Sequence, residues 1–511
     1  MTVTLVSAAG MAAVSAAGAV NVLATFGADI DAITFAVAGA LTAGNGSGLA
    51  LAGAGSGSGN FITGTTEAAI RNANVTTTLG NMSVTATDNS QISALAGAAA
   101  INISASQGAN VGVGLGLSLT FNDIANTTRA TIENSSVLTP ASLQVNADSN
   151  AGISAIAFGA SLGVSAGSGN AVAGQAVGAS AKNEINSATE ALIIAPVAAG
   201  RTASGQVGVT LTARDDSDIL ADAVAAVLGV AVSGNTGGAG TLGIALSLNT
   251  IGNAARAVID GVDVASSLGN VVLNAASTSS ITATAVAAGV AFSGSSSAAI
   301  AISASVSIAT NNIANLVEAL IIDADVVASG TVGLSASDSS LIRADLVAAN
   351  ISASFGSGSA SGSLAVAGSV AVNSIANVTR AVLDGATVTA GGNFAANAIS
   401  TGTIEAVAVA ASASITGSGG IGLSGAGTGA DVDNTIANVI QAGAIDGASV
   451  IATGVVSVTA TDDATITASV VAASASVAIG SNGAISLAVA VSLADNTINN
   501  TTEAVLHATK I

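Results

Sequence analysis

The residue types that most often carry catalysis are scarce in this sequence. It contains one histidine, His507, and no cysteine, tryptophan or tyrosine. A serine nucleophile needs a base beside it, and His507 stands near the C-terminal end with no second histidine to work with. Lys182 and Lys510 are the only lysines, which leaves a polysaccharide-cleaving site without its basic cluster. We therefore predict that the chain is not an enzyme and that His507 lies at the surface.

Acidic residues offer the best argument for a metal site, because carboxylate oxygens are the ligands that Ca²⁺ prefers. Aspartates recur along the chain at Asp88, Asp148, Asp215, Asp216, Asp338, Asp462 and Asp463. A column of them could hold Ca²⁺ between stacked repeats, but Ser277 and Ser400 stand at the corresponding place in two copies. The glycine-rich nonapeptide of calcium-binding β-rolls does not occur. We therefore expect solvated carboxylates at turns or edges and no cofactor, with Ca²⁺ as the alternative.

Sites for phosphate groups are not indicated. The glycine-rich run at residues 53–57 lacks the Lys-Ser or Lys-Thr pair and the helix that follow it in a phosphate-binding loop. Nine Lys and Arg residues stand against 29 Asp and Glu residues, and the formal net charge is −20. An acidic chain repels nucleic-acid phosphates and anionic lipid headgroups. We predict no nucleic-acid partner.

The composition predicts a folded chain with a thin core. Half of the 511 residues are hydrophobic and the mean hydropathy is +0.74, but aromatic residues make up only 2%. The apolar stretch at residues 1–26 has no positive charge and is interrupted by Gly10 and Gly18, so it resembles neither a signal peptide nor a membrane helix. We expect no membrane insertion, and we interpret the chain as a segment of a longer protein.

One pattern recurs eight times: an asparagine, an isoleucine two residues later, and a long polar side chain seven residues after the asparagine, followed by alanine. The asparagines are Asn60, Asn122, Asn183, Asn249, Asn311, Asn373, Asn434 and Asn496. The isoleucines are Ile62, Ile124, Ile185, Ile251, Ile313, Ile375, Ile436 and Ile498. The long polar residues are Glu67, Arg129, Glu190, Arg256, Glu318, Arg380, Gln441 and Glu503. Their spacings of 62, 61, 66, 62, 62, 61 and 62 residues define a repeat.

The repeats predict one repeat domain over residues 1–511, with repeats that end near residues 70, 132, 193, 259, 321, 383, 444 and 506. Within a repeat, two alternating, partly β-branched segments flank a Gly/Ser-rich turn, for example residues 84–103 and 111–132 around the turn at residues 107–110. The two prolines, Pro140 and Pro196, fall in the connection between repeats, where lengths vary.

These features predict an all-β fold, an elongated parallel β-solenoid of about eight coils with one repeat per coil and two long sides. In such a stack equivalent residues form ladders, and asparagine and isoleucine suit ladders well. The long polar residues support this register, because their charges alternate in sign over the first six copies and no two like charges are neighbours. A β-helix with several short coils per repeat and an array of antiparallel hairpins are the alternatives.

The segments Asn122–Ala130, Asn311–Ala319 and Asn496–Ala504 resemble the repeats of giant bacterial surface and secreted proteins of the filamentous-haemagglutinin-like and leukotoxin-like kind. The resemblance covers almost the whole chain and implies export, great length, and adhesion, cell contact or toxin delivery. It implies no functional site, since such repeats resemble stalks whose activity lies elsewhere.

We therefore expect a non-catalytic stalk or adhesin repeat region in an extracellular or cell-surface location. Its partners would be a host or neighbouring cell surface, a matrix, or further copies of the chain. The alternatives are a segment of a leukotoxin-like toxin and an ice- or surface-binding solenoid. Thr85 and Thr87 recur together only at Thr459 and Thr461, so no continuous threonine ladder favours ice binding.

Overall fold

The computed structural model describes residues 2–5, 11–507 and 509–511, with side chains from residue 11 onward. This part of the chain is almost entirely β-strand, and its one short helical element is a 3₁₀ turn at Val197–Ala199. The all-β prediction is confirmed. Within the described residues, no helix has the length and hydropathy needed to cross a bilayer.

The strands form three parallel sheets. Sheet 1 contains the longest strands, one from each repeat, in simple sequence order. They are β3 (Val20–Gly44), β6 (Met82–Ser106), β9 (Ser142–Gly167), β13 (Gly208–Ser233), β17 (Asn270–Ser295), β21 (Val332–Gly356), β25 (Phe394–Ser418) and β29 (Val456–Gly480).

Sheet 2 lies opposite sheet 1 and follows it after each Gly/Ser turn. In the first two full repeats it contains one long strand, and from the third repeat onward that strand is interrupted for two residues. Its strands are β1 (Thr2–Leu5), β4 (Gly48–Arg71), β7 (Asn110–Glu133), β10 (Ala171–Ile185), β11 (Ala188–Ile194), β14 (Gly237–Ile251), β15 (Ala254–Asp260), β18 (Ala299–Ile313), β19 (Leu316–Ile322), β22 (Ala360–Ile375), β23 (Val378–Asp384), β26 (Ile421–Ile436), β27 (Val439–Ile445), β30 (Gly483–Ile498) and β31 (Thr501–Leu506).

Sheet 3 is a narrow third side, which the prediction of two long sides did not include. Its short strands lie in the stretch that the sequence pattern assigned to connections, although Pro140 and Pro196 themselves fall outside them as expected. The strands are β2 (Ala12–Ala16), β5 (Ala73–Thr77), β8 (Ser136–Thr139), β12 (Arg201–Gly205), β16 (Val262–Ser266), β20 (Asp325–Ala328), β24 (Thr387–Ala390) and β28 (Ser449–Ala452).

A left-handed residue marks the corner where most repeats pass from sheet 2 to sheet 3. These corner residues have φ between 45° and 64° and are Asn72, Asn134, Gly261, Asp323, Gly385 and Asp446. Asparagine, aspartate and glycine are the residues that adopt this conformation at least cost. The repeat with the insertion instead turns through Pro196, the 3₁₀ turn and Gly200, whose φ is 55°.

Register is uniform through the stack. Each strand pairs in parallel with the equivalent strand of the next repeat, so that Asn249 is paired with Asn311 and Ile281 with Ile342. Each repeat therefore adds one layer to every sheet. All strand pairs of the described chain are parallel, which excludes the array of antiparallel hairpins.

The stack is broader than it is high, which corrects the expectation of an elongated particle for this segment. Strands of 25 residues at about 3.3 Å per residue extend about 80 Å. Eight layers at about 4.8 Å give a height of about 38 Å along the stack. The described chain is therefore a flat slab whose wide faces are the outer surfaces of sheets 1 and 2.

The slab divides into two halves with opposite polarity. We name the half beside sheet 3 the base half and the half beside the Gly/Ser turns the tip half. In the base half, large apolar residues such as Val84 and Ile92 point inward and polar residues such as Thr85 point outward. In the tip half of the same strand, Asn102 and Ser104 are buried, whereas Ile101 and Ile103 are exposed.

Candidate functional surfaces and buried polar columns

The repeated asparagines form one continuous column, which is buried in every layer except the last. In every layer the Nδ2 of one asparagine donates to the Oδ1 of its counterpart in the next layer, from Asn60 through to Asn496. The seven donor–acceptor distances are 2.7–2.8 Å. Parallel in-register stacking places identical amides one strand spacing apart, which suits this bond. The structure thus brings all eight residues together, and the equivalent isoleucines stack two positions further along.

The long polar residues form a second column, at the outer face of sheet 2. Arg256 Nε lies 2.9 Å from one carboxylate oxygen of Glu318, and Arg380 Nη1 lies 3.6 Å from the other. Glu190 is contacted in the same way by Arg129, at 2.8 Å, and by Arg256, at 3.5 Å. The carboxylates of Glu190 and Glu318 are largely buried between their arginine neighbours.

Both ends of this column depart from strict alternation of ion pairs. Glu67 is in register with Arg129 but forms its salt bridge with Arg71, four residues further along its own strand. Arg71 also lies 2.6 Å from Glu133 in the next layer. At the other end, Arg380 Nε donates to Gln441 Oε1 at 3.1 Å, and Gln441 is in register with Glu503.

The aspartates do not form a column of solvated carboxylates. Asp88, Asp215 and Asp338 are buried and Asp462 occupies the equivalent place in the last layer, while serines occupy the layers between them. Those serines are Ser149, Ser277 and Ser400. The prediction that the recurrent aspartates lie at turns or edges is therefore wrong for these positions.

The other aspartates of the predicted set point the opposite way. Asp148 is exposed and lies one position before the buried column, while Asp216 and Asp463 lie one position after it. Side chains alternate between the two faces of a strand, so neighbours in sequence cannot join one column. The serines that had weakened the calcium hypothesis are regular members of an alternating Asp/Ser column.

A second asparagine column, missed as a site, holds the buried aspartates. From Asn253 onward it lies at the two-residue interruption of sheet 2, where the asparagine Oδ1 accepts the backbone N–H of its counterpart in the preceding layer, as Asn377 does from Asn315 at 2.8 Å. Its Nδ2 donates across to sheet 1. Asn253 donates to Asp215 at 2.6 Å, and Asn377 donates to Asp338 at 2.6 Å. The sequence signal was the asparagine three residues before the long polar residue in six of the eight copies, with Gly64 and Ser187 as the exceptions.

Burial raises the pKa of these carboxyl groups. Loss of solvent raises the pKa of Asp215 to about 7 and that of Asp338 to about 6, against an ordinary value of 3.8. Donors from Ser217, Asn253 and Thr189 counteract the shift at Asp215 without cancelling it. Asp88 is shifted in the same direction for the same reason.

The shifted carboxyl groups predict a protein that loses stability as the solution becomes neutral. A raised pKa means that the folded state binds the proton more tightly, so the stabilisation is complete below about pH 4 and is lost as pH rises through about 6 to 7. We expect the free energy of unfolding to fall by about 2 to 4 kcal/mol over this range. Denaturant unfolding from pH 4 to pH 8 measures it.

Neutral substitutions at the buried carboxyl groups provide the control. The double variant Asp215→Asn, Asp338→Asn should flatten the profile, because an amide has no proton to release. Asp148→Asn, at an exposed carboxyl group, should leave the wild-type slope unchanged. Equal slopes in the wild type and the double variant would contradict the assignment.

The described residues contain no group of three or more His, Cys, Asp or Glu side chains that could hold a metal ion. Two successive aspartates of the buried column are two layers apart, about 10 Å, and asparagine and serine donors face them. His507 is exposed.

No family model, no curated protein and no solved structure matches this chain. The residues themselves therefore carry the argument about function.

The remaining candidate surface is the exterior of the tip half. Large apolar side chains on both wide faces are exposed there, including Ile101 and Ile351 on sheet 1 and Leu115 and Leu423 on sheet 2. Shallow grooves run between them over columns of small residues, as where Ala226 and Ala288 lie beside Leu228. Exposed apolar patches of this extent are typical of interaction surfaces.

Proposed function

We propose that this chain is a non-catalytic structural repeat region, a β-solenoid with one coil per repeat, that presents its two wide faces for adhesion. The observation that carries the proposal is the unbroken register of all three sheets, in which backbone and side-chain columns run the length of the described chain. Such a stack is stiff, since every inner strand is held by hydrogen bonds on both sides.

The shape favours adhesion over spanning a distance. Each repeat of about 62 residues adds only about 4.8 Å along the stack. A long stack would therefore need very many residues. The same repeat adds two strands that are each about 80 Å or less in length, and hence a large area of face. A surface or matrix is a more suitable partner for such a slab than a point contact at its end.

We also propose an extracellular or cell-surface location and an adhesin-like role. The resemblance of the Asn-x-Ile repeats to those of giant surface proteins supports both. A toxin segment of the leukotoxin-like kind is the second candidate, and the exposed apolar faces are the observation that favours it.

Particle dimensions test the proposal. Cryo-electron microscopy of the chain should show a flat particle about 80 Å by about 38 Å, and a variant that lacks two complete repeats should be lower by about 10 Å but equally wide. Circular dichroism should show β-structure with little helix. A globular particle, or one whose width shrinks when repeats are removed, would contradict the scaffold.

A further inference from the structure

Charged residues are confined to one half of the slab. The tip half corresponds to eight segments without any Asp, Glu, Lys or Arg, although the chain has 29 acidic and nine basic residues. Every charged side chain therefore belongs to the base half or to sheet 3. The segments are residues 34–56, 96–118, 157–179, 223–245, 285–307, 346–369, 408–430 and 470–492.

The outward faces of this half are apolar on both sides. On sheet 1 the exposed column that contains Ile101, Leu228 and Ile351 runs across the layers, and on sheet 2 Leu115 and Ile302 are similarly exposed. Each of these side chains would gain favourable free energy if it were removed from water. Because both outer faces of the tip half are apolar, an apolar environment on both faces would stabilise it.

The interior of the same half is small and polar. Asn102 of sheet 1 donates to Gln175 of sheet 2 at 2.8 Å, and Ser161 donates to the same oxygen at 2.7 Å. Ser118 and Ser352 reach carbonyl oxygens of the opposite sheet at 2.7 Å each. The sheets are thus joined by direct hydrogen bonds, while a few buried hydroxyl groups of this half, those of Ser233, Ser293, Ser412 and Thr428 among them, have no partner among the described residues.

We propose that the tip half is embedded in the hydrocarbon of a lipid bilayer, with the strands along the bilayer normal and the stack axis in the membrane plane. This inference rests on the proposed adhesive function and names its partner. The base half, which contains all the charges, then lies in the aqueous phase. The proposal replaces the expectation of no membrane insertion.

The length of the apolar arms fits a bilayer. A strand that crosses the hydrocarbon layer needs about 9 to 11 residues. In β6 the outward side chains are apolar from Leu95 to Ala105, and in β7 from Val111 to Phe121, which makes 11 residues in each arm. The two arms of one layer therefore match the thickness that they would have to cross.

The turns at the tips favour lipid over a second copy of the chain. In each layer the turn consists of uncharged residues, such as Gln107 to Asn110 and Gly480 to Gly483. Crossing a bilayer requires uncharged turns, because a charge at the bilayer centre is costly. Packing against a second copy would place no such demand on the turns, and it would cover only one of the two apolar faces.

Backbone pairing sets one further condition. The inner strands are hydrogen-bonded on both sides, but an open sheet edge cannot face hydrocarbon. The proposal therefore requires that the outermost strands, β3 and β29 among them, pair in the membrane with strands of further repeats or of another copy. Binding should accordingly increase with protein concentration on the vesicle.

Two leucines of one strand provide a matched test. Leu228 and Leu220 both belong to β13 and point outward, with exposures of 37% and 44%. Leu228 lies in the tip half between Leu162 and Val290, whereas Leu220 lies in the base half between Ser154 and Thr282. A charge at Leu228 would enter hydrocarbon, and one at Leu220 would remain in water.

Flotation with neutral phosphatidylcholine vesicles measures the partition, since neutral lipid neither attracts nor repels a chain of charge −20. We expect the wild type to float with the vesicles, Leu228→Lys to lower the partition coefficient at least about tenfold, and Leu220→Lys to leave it unchanged. Circular dichroism verifies that each variant is folded. A wild type that stays with the lipid-free fraction would overturn the proposal.

Single cysteines supply a second readout, because the chain has none of its own. A polarity-sensitive dye on Leu228→Cys should shift to the blue on vesicle addition and be quenched by lipids labelled in the acyl chain, and the same dye on Leu220→Cys should respond to neither. Equal responses at the two positions would contradict the proposal.

A second copy as the occupant would give a different result. The wild type would form dimers or filaments in lipid-free buffer, Leu228→Lys would dissociate them, and neither protein would float. That outcome would overturn the lipid proposal while leaving the slab dimensions, and hence the scaffold function, intact.

Discussion

Replacing Glu318 by arginine should destabilise the protein more than any other single change in the charged column. Glu318 is contacted by Arg256 on one side and Arg380 on the other, and its side chain is only 8% exposed. The substitution removes both ion pairs and places three guanidinium groups in succession. We expect a loss of about 3 kcal/mol, after allowance for the partial exposure of the arginines, and about 1 kcal/mol for Glu318→Gln. Denaturant unfolding at low and high salt measures both.

Salt and compensation distinguish this effect from a general loss of packing. The difference between the Arg and Gln variants should shrink at high salt, because the charges are partly exposed. Adding Arg256→Glu and Arg380→Glu should restore part of the stability, since only Glu190 then faces a like charge. The control Asp222→Arg changes the net charge equally but lies between Ile156 and Thr284. Equal midpoints for Glu318→Gln and Glu318→Arg would contradict the ladder.

Replacing Asn373 by leucine should break the buried asparagine column at its centre. Asn311 would lose the acceptor for its Nδ2, and Asn434 would lose the donor to its Oδ1. Each stranded group is buried and costs about 1 to 3 kcal/mol. We therefore expect a loss of about 2 to 5 kcal/mol in the free energy of unfolding, measured by denaturant titration at constant pH.

The matched control is Asn397→Leu, the same change on the outer face of sheet 1, which should alter stability by less than about 0.5 kcal/mol. Similar losses at the two positions would mean that leucine itself, and not the broken column, is responsible.

The sequence predicted the layers because identical residues in parallel register leave a visible period. The eight asparagines could be aligned without a structure, and parallel pairing of Asn249 with Asn311 is the direct physical reason for their repetition. The two long segments of each repeat were equally accessible, since residues 84–103 and 111–132 lie within β6 and β7.

Sheet 3 was missed although it carries a recurrent residue. Its strands have only four or five residues, too few to show a clear alternation. One column of the sheet is nevertheless valine in seven of its eight layers, from Val14 to Val450, with Ala203 as the exception. The left-handed corner position before these strands is occupied by asparagine, aspartate or glycine in different repeats. Asn134 and Gly261, for example, have the same backbone conformation but are different residue types, so the corner leaves no repeated residue in the sequence.

The average composition does not show which face of a strand is apolar, so the exposed apolar faces were not predicted. High hydropathy indicates a core, but only the phase of alternation tells which face is apolar. That phase reverses within β6, where Val84 and Ile101 lie an odd number of positions apart and therefore point to opposite faces. The aspartate column was misassigned for a related reason, because Asp148 precedes the true column member Ser149 by one residue.

One distance tests the central claim, that equivalent residues of successive repeats are neighbours. Spin labels on Thr85→Cys and Ser335→Cys would lie on the outer face of sheet 1 at equivalent positions, four layers apart. Layers at about 4.8 Å predict a separation of about 19 Å between the two backbone positions. Three short coils in each repeat would place them about 58 Å apart. Pulsed electron–electron double resonance should give a distance near 20 Å, with a deviation no larger than the length of the two label side chains. A distance near 60 Å would show that equivalent residues are not neighbours.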